Sequence, residues 1–114
     1  MPIKSKTIMD GKIAIIDVKG PLIGDENTDE LKREVLDFLE QGNKQLILNL
    51  QKVNYMNSSG LGAIVSAKTS YNKNGGEVKL VGLTKNILNL FAVTKLVEVF
   101  DVHDDIEKAI KSFK

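Results

Sequence analysis

The chain has 114 residues and a mass of 12.6 kDa, enough for one hydrophobic core, and a single domain over residues 1–114 is expected. Hydrophobic residues at 42% and charged residues at 27% exclude disorder or a coiled coil, and 16 Lys and Arg interspersed with 15 Asp and Glu give a net charge of +1, too little for a nucleic-acid surface. The absence of cysteine removes disulfides, thiolate metal sites and cysteine nucleophiles, and no apolar run nears the roughly 20 residues of a membrane span, so a cytoplasmic protein with no direct membrane insertion is expected.

Residues 4–9 and 12–18 flank Asp10-Gly11, a dipeptide typical of a tight two-residue turn, and predict an opening antiparallel hairpin. Gly20-Pro21 ends the second strand. Asn27, with Glu30 three residues on, reads as a capping pair for a helix that carries Leu31, Val35, Leu36, Phe38 and Leu39 on one face and stops at Gly42. Residues 45–50 are apolar apart from Asn49 and polar-flanked, as in a central strand.

That strand leads through Tyr55 and Met56, read as core residues, into Asn57-Ser58-Ser59-Gly60-Leu61-Gly62, the opening of a second helix over residues 59–74. Leu61, Ile64, Val65, Lys68 and Tyr71 fall at helical spacing, and Asn74-Gly75-Gly76 terminates the helix. Residues 77–81 form a strand. Thr84 caps a third helix bearing Ile87, Leu88, Leu90, Phe91 and Val93, and residues 97–100 read as a last strand. A fourth helix begins near Asp104, with Glu107 in capping-box position and Ile106, Ala109, Ile110 and Phe113 as its buried stripe. Strands alternating with helices predict an α/β fold: a mostly parallel central sheet, an N-terminal antiparallel hairpin and about four helices.

Candidate chemistry is sparse. His103, the one histidine, reads as a solvated loop residue, since a catalytic role needs partners. Asp101, Asp104 and Asp105 sketch a cation site, but capping and the helix dipole account for acids at a helix start, so no metal is assigned. Gly60-Leu61-Gly62 lacks the Lys of a phosphate-binding loop and the third glycine of a dinucleotide fingerprint. Two readings of Asn57, Ser58 and Ser59 stand at this point: they only cap the helix, or they present its free N–H groups to an anion or a partner while glycine permits close approach.

The cluster at residues 57–62, preceded by the apolar run 46–50 and followed by Gly75-Gly76-Glu77-Val78-Lys79-Leu80-Val81-Gly82, resembles the STAS domain of bacterial anti-sigma factor antagonists. The resemblance extends to the hairpin, Gly20-Pro21-Leu22, the segment 90–96, Val99-Phe100 and Glu107-Lys108-Ala109, nearly the whole chain. It implies a STAS-type fold and a partner-switching protein with no catalytic residues and no cofactor. Such a protein binds an anti-sigma factor with serine kinase activity, frees a sigma factor, is switched off when that kinase phosphorylates it, and is reset by a serine phosphatase. The phosphoacceptor maps onto Ser58, with Ser59 the neighbouring alternative. The implied partner surface comprises Ile23, Gly24, Asp25, Asn27, Asn57, Ser58, Ser59, Gly60, Leu61 and Gly62. Leu61 reads either as an exposed anchor or as core, and Asp25 either as docking charge or as a first-turn acid. The sequence departs from the family pattern at Asn57, where Asp precedes the acceptor serine, and at Ile23, where better-known antagonists often carry an acid. The alternatives are a STAS subunit of a transporter or sensory assembly, and a nucleotide-binding protein using the Gly60–Gly62 turn.

Overall fold

Apolar alternation in residues 13–18 and the apolar run 46–50 form the middle of the sheet in the computed structural model, which describes residues 3–113. The strands are β1 (Ile3–Ile8), β2 (Ile13–Lys19), β3 (Gln45–Lys52), β4 (Glu77–Val81) and β5 (Asp101–His103). They lie side by side in chain order, with β1 antiparallel to β2 and every other pairing parallel. The α/β architecture read from the sequence is the one observed, with β1 as its antiparallel edge.

One face of the sheet carries the larger core. There α1 (Glu26–Glu40), α2 (Ser58–Lys73) and α3 (Lys85–Val93) pack Leu31, Val35, Phe38, Ile64, Tyr71, Ile87 and Phe91 against Ala14, Ile16, Leu46, Leu48 and Leu80. Among the described residues, the other face is covered only by α4 (Ile106–Ser112), whose Ala109 sits on Ile13, Ile15, Ile47 and Val81 with Ile106, Ile110 and Phe113 around it. Leu46, Leu48 and Leu50 are fully buried, each contributing roughly 1.5–3 kcal/mol of transfer free energy, so β3 anchors the sheet. Tyr71 is likewise fully buried; its hydroxyl donates to Asn43 Oδ1 at 2.8 Å, and burial pushes the phenol above its ordinary range.

Several local expectations are corrected. The hairpin connection is four residues, Met9 to Lys12, with Met9 and Asp10 at φ 56° and 57° and Gly11 N–H donating to Ile8 O at 3.1 Å. Helix α1 is capped by Asp25, whose carboxylate accepts from Asn27 N–H at 3.2 Å; Asn27 is already helical. Leu36, Leu88 and Val93 are exposed, because each neighbouring helix or sheet covers only part of the predicted stripe. Residues 97–100 are not a strand. Lys95 adopts φ 64°, a short 3-10 helix follows at Leu96–Glu98, and Phe100 is buried edge-on to Phe91 with ring centroids 5.5 Å apart. Pairing begins at Asp101, which is in register with Lys79. Thr84 stands at the start of α3 but makes no cap bond; its hydroxyl donates instead to Val53 O at 2.9 Å. Helix α4 is capped by Asp105, which accepts from Lys108 N–H at 2.9 Å, so Glu107 is not in capping-box position.

Candidate functional site

The site forms where the segment after β2 crosses the start of α2. Leu22 N–H donates to Tyr55 O at 3.0 Å and Asn57 N–H to Leu22 O at 3.2 Å, a one-residue parallel bridge that straps Leu22 beside Met56. Asn57 then works in two directions. Its Oδ1 accepts from Gly60 N–H at 3.1 Å, capping α2, and its Nδ2 donates to Ile23 O at 3.0 Å, holding the strap. A carboxylate at this position could cap but could not donate, so the amide has a structural reason of its own.

Glycine is required at two points of close approach. A Cβ on Gly60 would stand 2.1 Å from Leu22 O, and one on Gly24, itself at φ +89°, would stand 2.9 Å from Ser59 Cβ. Gly62 has nothing within 4 Å of such a Cβ, so of the two glycines in this turn only Gly60 is fixed by packing. Gly24 N–H donates to Thr28 Oγ1 at 2.9 Å, and Thr28 is buried, so the strap runs directly into α1.

Ile23, Gly24, Asp25, Ser58 and Ser59 thereby come together on one exposed surface, with Ile23 40% accessible. No hydrogen bond among the described residues engages the Ser58 or Ser59 hydroxyl. Ser59 lies against Gly24, whereas Ser58 is the first helical residue and faces outward. Leu61 is half-buried and packs on the main core, so its two readings meet at the rim. Asn27 is placed differently: its Nδ2 lies toward Gly20. Asp25 serves as the α1 cap. Tyr55 departs from its sequence reading, and Thr28 has a role that the sequence reading does not single out. Tyr55 is 58% exposed, not core, and Thr28 supports the strap. A Thr four residues after a loop glycine, ahead of a helix, was the available signal for the latter.

A second polar cluster lies under α4. Buried Lys79 pairs with Asp101, whose other oxygen meets His103 Nε2 at 3.0 Å; Ser112 Oγ stands 3.3 Å from the same nitrogen. His103 is thus a strand residue whose side chain is 19% accessible, not a solvated loop residue. The trio does not form a hydrolytic relay, which needs acid and serine on opposite ring nitrogens, and Ser112 Oγ donates to Ala109 O at 2.7 Å. The arrangement holds α4 in place, and Lys79 Nζ also lies 4.7 Å from the Phe113 ring centroid.

Burial alone would raise the Asp101 carboxyl, but hydrogen bonds from Lys79 and His103 and their charges outweigh it and hold it below its ordinary value. A lowered folded-state value gives stability that is present above the unfolded carboxyl value, near pH 4, and lost as pH falls through the lower folded one. Asp101→Asn is therefore expected to cost about 1–3 kcal/mol at pH 7, discounted from the buried-pair range because Asp101 is half in water. The difference from the parent should shrink below about pH 4. Urea melts from pH 2.5 to 7 check this, and a difference independent of pH would refute the electrostatic account.

Comparison with known proteins gives a consistent picture. A family model described as the STAS domain matches residues 5–109. An anti-sigma-B factor antagonist of Bacillus subtilis (strain 168) is 32% identical over 81 residues, covering 71% of this chain and 73% of that protein. A Thermotoga maritima protein, solved as a candidate anti-sigma factor antagonist, superposes with a TM-score of 0.86 at 26% identity over 96% of this chain and 92% of its own. A sulfate transporter family protein from Wolinella succinogenes superposes with a TM-score of 0.77 at 24% identity over 91% and 84%, which shows a shared fold alone.

Proposed function

The chain belongs to the STAS domain family, and on that premise we propose that it is an anti-sigma factor antagonist that binds an anti-sigma factor with serine kinase activity and so releases a sigma factor. Residues 1–114 act as one domain, in the cytoplasm and without catalysis of their own. Phosphorylation at Ser58 by the bound kinase ends the interaction, and a serine phosphatase restores it. The observation that carries this reading is the exposed Ser58 at the first position of α2, beside a strap that Asn57 and Gly60 fix in place. The likeness to a protein named as an anti-sigma-B factor antagonist supports it. A kinase needs an accessible hydroxyl free of internal hydrogen bonds, and Ser58 provides one on a surface that also offers Ile23 and the edge of Leu61. No helix of the described residues is long and apolar enough to cross a membrane, which suits a partner met in solution.

The test is reconstitution with the anti-sigma factor of the same organism, ATP and Mg²⁺, followed by intact-mass measurement and site mapping. A gain of one phosphate, roughly 80 Da, is expected at Ser58, retained in Ser59→Ala and abolished in Ser58→Ala. Modification at Ser59 alone, or a stable complex in which no serine is modified, would overturn the switch while leaving the binding role to be measured separately.

A further inference from the structure

The face of the sheet that carries α4 is only partly covered. Helix α4 sits over Ile13, Ile15 and Ile47, the early halves of β2 and β3, and leaves their late halves open. There a cleft of about 370 Å³ is lined by Lys4, Asp17, Lys19, Asn49, Gln51 and Lys52. Three lysines line it against one carboxylate. Among the described residues none of the three lysines has an acidic partner within ion-pair distance.

Three features mark the cleft as built. The β2–β3 register slips between Asp17 and Lys19, so that Asp17 faces Asn49 but Lys19 faces Lys52; the extra residue in β3 turns Lys52 toward Lys19, where strict alternation would turn it away. Like charges directly opposite on neighbouring strands destabilise a sheet, a cost that an anion bound between them would remove. Gly82, at φ +71°, leaves room for the Gln51 side chain, whose Cγ would lie 2.2 Å from a Cβ there. Asn49 Nδ2 donates to Asp17 Oδ1 at 2.8 Å, which fixes the carboxylate and leaves its second oxygen to accept a hydrogen bond.

We propose that this cleft binds a small phosphorylated metabolite, with the phosphate between Lys19, Lys52 and Lys4 and a hydroxyl of the ligand donating to Asp17. The volume falls within the range of small-ligand sites, about 300–1,000 Å³. Asp17 at the floor disfavours a bare anion and favours a ligand that brings a donor.

Glycerol 3-phosphate is the probe, titrated into the full chain while backbone amide shifts and thermal unfolding are followed, with inorganic phosphate and glycerol as parallel arms at matched ionic strength. Saturable shifts at Asp17, Lys19, Asn49, Gln51 and Lys52 are expected, with inorganic phosphate binding more weakly and glycerol not at all. The double variant Lys19→Gln, Lys52→Gln should lose at least tenfold in affinity while its free form melts at a higher temperature, a pair of effects that misfolding cannot produce. The proposal fails if the shifts are non-saturable, if they map to the start of α2, if the double variant keeps its affinity, or if inorganic phosphate binds as tightly as the probe.

Discussion

Gly60→Ala is expected to destabilise the protein by about 3 kcal/mol or more, while Gly62→Ala, two residues along the same helix, is expected to be neutral or to stabilise by up to about 1 kcal/mol. The opposite signs follow from what surrounds each position. A Cβ on Gly60 would lie 2.1 Å from Leu22 O and 2.8 Å from Leu22 C and Cβ. A flexible side-chain tip could swing aside, but these atoms cannot. Leu22 is fully buried, its N–H is bonded to Tyr55 O, and its carbonyl accepts from Asn57 N–H. Relieving the clash therefore means breaking the strap or lifting the start of α2, and either leaves buried backbone groups unpaired. Gly62 has open space around it, so alanine adds helix propensity without collision. Urea denaturation of the three proteins decides the matter. A Gly60→Ala variant within 1 kcal/mol of the parent would mean that the strap does not rest on α2 as described.

The same contrast shows why the site was only partly legible in the sequence. Strand β3 and helix α2 could be read because local signals agreed: an apolar run, helical spacing through Ile64 and Tyr71, and a glycine pair at the close. Placing Ser58 at the opening of α2 needed nothing beyond this. The strap, however, is a contact between residues 22–24 and 55–60, and no periodicity encodes which backbone oxygen lies above which glycine. Gly60 and Gly62 look alike in the sequence, and only the crossing of Leu22 separates them.

The misread caps have a similar origin. Asp25 and Asn27 are both good caps, and Gly24 N–H bonding to Thr28 Oγ1 draws the chain into α1 two residues early. Thr84 has a cap's chemistry but finds Val53 O across the fold. Helical spacing tells which residues of α1 and α3 share a face but not how wide the opposing surface is, so Leu36, Leu88 and Val93 fall on the apolar stripe yet lie exposed. Val97 and Val99 look like strand residues, but the aromatic contact of Phe91 with Phe100 and the turn at Lys95 reserve that stretch for a 3-10 helix, and the last strand starts later, at Asp101.

Phosphate on Ser58 is expected to weaken binding of the anti-sigma factor by on the order of 10²-fold or more while leaving the melting temperature nearly unchanged. The separation of the two effects comes from where the serine sits. Its hydroxyl takes part in no internal hydrogen bond among the described residues, and the side chain is exposed, so nothing in the core is displaced. The first position of α2 also places the added charge, about −1.5 to −2, against the positive end of the helix dipole, which offsets its cost to the fold. The surface itself is less tolerant. Asp25 stands on the adjoining strap and Glu26 and Asp29 open α1, so the new charge joins an acidic neighbourhood, and on the proposed reading the face with Ile23 and Leu61 would carry an ion that must be desolvated on docking. Ser58→Ala should bind as the unmodified protein does. Ser58→Glu should weaken binding less than phosphate, having one charge and two oxygens in place of nearly two charges and three. Calorimetric titration of the unmodified, phosphorylated, Ala and Glu forms against the anti-sigma factor, with a thermal melt of each, gives the ordering. Equal affinities across the four would refute control at Ser58, and a matching fall in melting temperature would transfer the effect from the surface to the fold.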